Sequence, residues 1–324
     1  MAEETSAGGD AAASQEWRVI GETVPGASHL RAGTPNQDAI LQLRESSVGL
    51  PVIVSISDGH GSNKCFRSDR GSRFAVGLGA GLMREILNDK RSDYDASRIE
   101  SRAGEILPVE FARRWHEAVA ADLEREPLAP EEFDKLEAKD GARARQIVEA
   151  HQTLAYGATT LTVALTKSFV IYLQLGDGEI INVSEEGEVS KPLPEDERLL
   201  ANETTSLCSG TASQDFRFAF RQLTAPLPAL ILLTTDGYAN SFTNDVGFLK
   251  VGSDILGMLR TDGFDAVNAG VKGWLEEATR AGSGDDCTLG IICRMDALKS
   301  WAPRPSPSQP AAAGAGTEQV VAKE

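Results

Sequence analysis

The sequence predicts an α+β domain: a four-layer α-β-β-α sandwich of two mainly antiparallel sheets flanked by helices. Three observations predict it. Strand-like runs follow one another through short turns, which joins neighbours antiparallel. Helical stretches come in separate blocks, unlike the one-for-one alternation of a doubly wound sheet, so they are expected to cover the outer faces. With 324 residues, 41% of them apolar, the chain can build a sizeable core.

The elements justify this in order. "EWRVIGETV" (16–24), "DAILQLR" (38–44) and "PVIVSIS" (51–57) alternate with some period-2 character and read as strands. Residues 68–90 read as a helix whose small residues allow close packing. In 110–126, Phe111, Trp115, Val119 and Leu123 recur every fourth position, the stripe of an amphipathic helix. Pro127 and Pro130 end that helix, and a charged helical stretch runs on to 150. "ATTLTVALT" and "FVIYLQLGDG" read as a hairpin turning at Lys167-Ser168, and 179–191 as another, turning at Glu186-Gly187. Residues 192–215 read as a long irregular loop, of a length that usually carries function. "FRFAFRQL" and "PALILLTTDG" read as strands. Helices over about 245–260 and 265–280 and a last strand, "CTLGIICR", close the unit.

Composition narrows the function. Lys plus Arg number 32 against 48 Asp plus Glu, a formal charge of −16, which disfavours nucleic acid because phosphate contacts need clustered cations. The excess acid suits carboxylates that wait for divalent metal, or it simply solvates the surface. Cys65, Cys208, Cys287 and Cys293 form no C-x-x-C pair, so structural zinc is not expected and a reducing, cytoplasmic setting is. The first residues lack the basic and apolar regions of a signal peptide, and no apolar window reaches membrane-spanning length. The expected organisation is a disordered tail over 1–16, one domain over 17–296 and a disordered Pro/Ala-rich tail over 297–324. Within the domain lie a helical segment at 92–150 and a loop at 192–215.

The acids carry the functional signal. Asp58, Asp177 and Asp236 each follow an apolar strand and precede glycine, Asp285 lies just before the last strand, and Asp38 opens another. Each Asp-Gly alone is an ordinary turn signal. Several acids at strand ends of a sandwich gather at one edge, where hard divalent cations neutralise them.

In order, the chain carries "NQD" (36–38), "DGHG" (58–61), "GATT" (157–160), "LGDG" (175–178), "TTDG" (234–237) and "GDDCT" (284–288). Together these motifs, over about 17–294, resemble the metal-dependent serine/threonine protein phosphatases of the PP2C (PPM) type, bacterial branch. The resemblance implies a centre of Mn²⁺ or Mg²⁺ at one edge of the sandwich. Asp58 would bridge two ions, and the Gly59 carbonyl would bind the second of them. Asp236 and Asp285 would complete the first ion's shell, Asp177 would hold a weaker third, and Asp38 would hold metal-bound water. His60 would give a proton to the departing alkoxide; its alternative is a structural role at the turn. The reaction implied is hydrolysis of phosphoserine or phosphothreonine on proteins by a metal-bridging hydroxide. The partners implied are a phosphoprotein substrate and a kinase that this activity opposes, with no nucleic acid, no membrane and a monomeric chain.

The chain departs from the family pattern at several positions. Gly33 stands where relatives carry a phosphate-gripping Arg. If 29–33 is extended, His29, Arg31 and Gly33 share one side. Arg31 or His29 would then reach the phosphate; alternatively Arg31 is an ordinary exposed residue. Gln37 replaces a Glu beside the second metal, Asn240 replaces an acid near the third, and Asp286 stands where Asn is common. Two firm metal sites and a weaker third are therefore expected. The loop at 192–215 lies where the family has its flap. Two other functions stay open: a catalytically weak module that binds a phosphoprotein, and a small-molecule phosphate monoesterase.

Overall fold

The computed structural model of the chain describes residues 16–44, 49–88, 96–194, 205–224, 226–242 and 245–299. Nearly all of both expected tails, and residues 195–204 of the expected flap, lie outside the described residues.

Among the described residues, two five-stranded antiparallel sheets form the centre. The first holds β1 (Trp17–Val24), β6 (Glu179–Val183), β7 (Val189–Ser190), β9 (Leu230–Thr234) and β10 (Cys287–Arg294), in the order β1-β10-β9-β6-β7. The second runs β2 (Ala39–Arg44), β3 (Val52–Ser57), β4 (Thr160–Leu165), β5 (Phe169–Leu175) and β8 (Arg217–Gln222). Alternation along each central strand divides its side chains between two cores. Val52, Val54 and Ile56 of β3 pack with Ile231, Leu233 and Ile292 of the other sheet, between the layers. Ile53 instead faces the first helical layer. Leu230 and Leu232 face the second. Strands covered on both faces lose the polar half of their pattern, which is why β9 reads as an unbroken apolar run.

The first helical layer comprises α2 (Ser68–Asn88), α3 (Ala96–Arg125), α4 (Pro130–Asp140) and α5 (Ala142–Ala150); the short α1 (Ala27–Ala32) precedes it. A four-residue helix, α6 (Ala212–Asp215), falls inside the stretch expected to be irregular. On the other face, α7 (Asp236–Ala239) is followed by α8 (Asp245–Thr261), α9 (Phe264–Ala281) and α10 (Met295–Lys299). No helix of the described residues is long and apolar enough to cross a membrane.

Within the helical segment expected at 92–150, the helix carrying the fourfold stripe begins at Ala96 and runs through Pro108. Ala103 and Leu107 are fully buried there, and that burial offsets the hydrogen bond proline removes. Pro130 opens α4 rather than merely ending the helix before it, since its fixed φ suits a first turn.

Helix α2 lies so close to the turn before β4 that a Cβ on Gly71 would stand 1.8 Å from the Tyr156 carbonyl oxygen. The Trp115 indole N–H donates to the Gly71 carbonyl at 3.0 Å, fixing α3 to the same point. Gly77, on the exposed side of α2, meets nothing within 4 Å. Gly71→Ala is therefore expected to lose about 2 kcal/mol or more by forced overpacking, and Gly77→Ala to gain up to about 1 kcal/mol of helix propensity. Urea unfolding of the two variants checks the contrast.

Candidate active site

The register brings the acids together. Ala39, the first residue of β2, pairs with Ser57, the last of β3. Thr160, opening β4, pairs with Leu175, closing β5. In the other sheet Glu179 and Leu289 both pair with Thr234 at the end of β9. Asp38, Asp58, Asp177, Asp236 and Asp285 flank these ends, so antiparallel pairing places them at one edge of the sandwich.

Two clusters result. Ligand oxygens of Asp58, Asp177 and Asp236 lie within 4.8 Å of one another. His29, Asp285 and Asp286 form the second group on the same criterion. Asp285 thus sits with His29 rather than in the first trio, although its charge still acts on Asp58 and Asp236.

Backbone and hydroxyl groups hold the acids in place. The Asp58 amide donates to Thr159 Oγ1 at 3.0 Å, and the Thr159 amide to the Asp58 carbonyl at 2.8 Å. Thr235 and Thr288, from the ends of β9 and β10, both donate hydroxyls to Asp38 Oδ2 at 2.7 Å. The other oxygen, Asp38 Oδ1, is buried without a hydrogen-bond partner. Asp286 accepts the Gly26 amide on Oδ1 and the Gln37 amide on Oδ2, each at 2.6 Å. The Asn240 amide donates to Asp236 Oδ2 at 3.0 Å. The Gln37 side chain donates to Ser68 Oγ at 2.6 Å, so its amide is occupied in ordering the chain beside Gly59.

The segment carrying His29 and Arg31 is not extended: residues 27–32 form α1. Two positions along a helix turn about 200°, so the two side chains point apart. His29 lies between acids, with Nδ1 3.0 Å from Asp286 Oδ2 and Nε2 3.5 Å from Asp285 Oδ1. Arg31 is exposed. Gly33 caps the helix in the left-handed region, φ 70°.

His60 is placed by its amide, which donates to the Gly157 carbonyl at 3.0 Å. A Cβ on Gly157 would stand 2.8 Å from the imidazole Cδ2 and 3.0 Å from Cys65 Sγ, so the glycine of "GATT" makes room for the ring. Burial holds the His60 pKa below its ordinary value, and Asp177 acts in the opposite sense. All four cysteines are free; Cys65, Cys287 and Cys293 are buried, and burial pushes the Cys65 and Cys287 thiols up to about 12.

Burial dominates the electrostatics, and mutual repulsion adds to it. Burial, then the charges of Asp38, Asp236, Asp177 and Asp285, holds the Asp58 carboxyl well above the usual range. Burial, with Asp286 and Asp236, pushes Asp38 up to about 8 against the lowering effect of its two threonine hydroxyls. Burial and Asp177 push Asp236 up to about 6. Buried oxygens without enough donors, crowded by like charge, fit a hard divalent cation.

Sequence reasoning did not assign the threonines. Thr159, Thr235 and Thr288 were visible only as letters inside "GATT", "TTDG" and "GDDCT". The clamp made by Asp286 was also missed, because its partners lie 260 and 249 residues away.

Residues 25–276 match the family model described as protein phosphatase 2C. No curated protein matches the chain. Among solved structures, the catalytic domain of the serine/threonine protein phosphatase PstP in complex with two manganese ions is similar, with a TM-score of 0.51 and 15% identity over 86% of this chain and 99% of that one. The Mycobacterium tuberculosis phosphatase PstP/Ppp gives 0.50 and 14%, over 86% and 98%. Stp1 from Staphylococcus aureus gives 0.51 and 12%, over 90% and 99%. At these identities the likeness shows the fold: the two-sheet sandwich is shared.

The raised carboxyl pKa values have a sign that can be checked. A carboxyl with a higher pKa in the folded chain keeps its proton longer there, so metal-free stability falls as pH rises from about 4 to about 8. Calorimetry of the metal-free protein should show Tm dropping between about pH 5.5 and about pH 8. Saturating Mn²⁺ should restore it, more at the higher pH, where fewer protons compete. A metal-free Tm that rises over this interval would contradict the crowding described.

Proposed function

Because the chain belongs to the protein phosphatase 2C family, we propose that it is a metal-dependent hydrolase of phosphoserine and phosphothreonine monoesters on proteins. The observation that carries this reading is the convergence of Asp38, Asp58, Asp177, Asp236 and Asp285 on one sheet edge beside His60. A binding module has no use for so costly an assembly of like charges.

Asp58, Asp236 and Asp285 would hold the first ion, Asp58 and the Gly59 carbonyl the second, and Asp177 a weaker third. When bound, Mn²⁺ or Mg²⁺ ions supply positive charge for the phosphoryl oxygens and lower the pKa of water between them. Asp38, held through Oδ2, would accept a proton from water on Oδ1 once bound cations offset the burial and like charge that raise its pKa. His60 donates a proton to the departing serine or threonine oxygen. Burial keeps the ring below its usual pKa, so the charged donor form depends on the dianionic ester arriving beside it. Phosphate contacts by His29 or Arg31 belong to the same reading. His29 faces the acids of the site, and Arg31 would need to turn inward from the exposed side of α1.

The setting is proposed to be reducing and cytoplasmic, supported by the four free thiols. The chain is proposed to act as a monomer against a serine/threonine kinase. Gly33 and Gln37, which lack the family's Arg and Glu, favour a second reading, a catalytically weak module that holds a phosphoprotein.

Hydrolysis of para-nitrophenyl phosphate with and without Mn²⁺ decides between them. Turnover should require Mn²⁺ and fall at least about a hundredfold in Asp236→Asn. His60→Ala should lose about a hundredfold or more on a phosphothreonine peptide, whose alkoxide leaves badly, and far less on the nitrophenyl ester. Metal binding without any turnover would favour the binding module. In calorimetric titration we expect two firm divalent sites and a weaker third, since Gln37 and Asn240 bring no charge; three tight sites would refute that count.

A further inference from the structure

A groove of about 530 Å³ opens beside the carboxylate edge, between α1 and α4. It is lined by His29 and Gln37 from the α1 side, by Gly61 and Asn63 just beyond His60, and by Lys135 and Lys139 of α4. The groove therefore joins residues beside the site to the helical block.

We propose that this groove takes the polypeptide flanking the phosphorylated residue, and that Lys135 and Lys139 select substrates with Asp or Glu in that flank. The proposal rests on the phosphatase reading and names the substrate class for it.

Charge is the first argument. The chain carries −16 overall and gathers carboxylates at its site, so an acidic peptide is repelled unless local cations offset that field. Lys135 and Lys139 stand four positions apart on one face of α4, and both are exposed. Neither makes an ion pair among the described residues; the Lys139 ammonium only donates to Asn63 Oδ1 at 3.3 Å. In the same helical block Arg67, Arg70, Arg114 and Arg145 are all paired with acids. Glu132, the one acid lining the groove, is paired with Arg67, so the two lysines are the charges the fold leaves available there.

Pre-organisation is the second. Arg67 lies seven residues beyond His60 and is 4% exposed. It donates from Nε and Nη2 to the two Glu132 oxygens at 2.8 and 2.7 Å, and to the Glu126 and Pro127 carbonyls. Glu132 also accepts the Ala129 amide at 2.7 Å, and Phe133 and Leu136 are buried. The helix that presents the lysines is therefore tied to the loop that presents His60.

His29, the basic group on the α1 side of the groove, is held between Asp285 and Asp286. Lys135 and Lys139 are the remaining basic side chains that line it.

The test compares kcat/KM of the Mn²⁺-loaded protein for a phosphothreonine peptide flanked by Asp and Glu, the same peptide flanked by Lys and Arg, and para-nitrophenyl phosphate. The wild type should favour the acidic flank by about tenfold. Lys135→Glu/Lys139→Glu should erase or invert that ratio through KM, and Lys135→Arg/Lys139→Arg should keep it. A wild type without the preference, or a charge-reversed variant that retains it, would overturn the proposal. If the wild type turns over no ester at all, the phosphatase reading falls, and fluorescence anisotropy of the same labelled peptides decides the groove. Weaker binding of the acidic peptide to the charge-reversed variant would then support it, and equal binding would overturn it.

Discussion

The burial of like charges at one sheet edge is the constraint around which the structure is arranged. Asp38, Asp58, Asp177, Asp236 and Asp285 reach that edge from strands far apart in sequence, and burial strips Asp38, Asp58 and Asp236 of the water that would screen them. A protein of ordinary marginal stability tolerates such a cluster only when the surrounding scaffold is over-determined and a counter-charge is at hand. The two apolar layers and the intersheet core supply the scaffold, and a divalent cation is the counter-charge the oxygens fit. The threonine hydroxyls on Asp38 and the backbone amides on Asp286 hold individual acids without adding any positive charge of their own.

The layered architecture was legible because its strands are unbroken apolar runs and its helices carry a fourfold stripe. The acids were legible because each sits at a strand end beside glycine or another turn residue. What escaped was set by distance in the chain. The conformation of 27–32 depends on contacts with 284–286, where the Ser28 amide and hydroxyl both reach the Gly284 carbonyl. Read alone, that segment has no stripe and no side chain at its N-cap to announce a helix. Asp286 read as a surplus charge in a family motif, whereas in space it ties the start of α1 and the residue before Asp38 to the last strand. Helix α3, inside the helical segment the sequence announced, runs through Pro108 because burial of Ala103 and Leu107 overrides a local signal.

The helical block from α3 to α5 is more than a cover for the second sheet. Arg67 and Arg70 join it to the start of α2 through Glu132, Glu126 and the buried Asp122, and the Tyr156 hydroxyl donates to Asp122 at 2.8 Å. Buried pairs of this kind favour one arrangement over its neighbours more than they add stability, because removing either partner leaves a charge without compensation. The loop after His60, the turn before β4 and α4 are therefore joined through Arg67, which bonds to both Tyr156 and Glu132. A substrate segment seated on the helices and a phosphate seated at the carboxylates would meet a single rigid template rather than two independent surfaces.

The position of β10 carries a consequence for the life of the protein before it is complete. It is the last strand of the described residues, yet it lies inside its sheet, hydrogen-bonded on both sides to β1 and β9. Thr288 on that strand closes the bond network around Asp38. Until this strand exists, β1 has no neighbour in its sheet and Asp38 lacks one of its two hydroxyl donors, so the first strand of the chain must wait for the region around Cys287 before it can be paired.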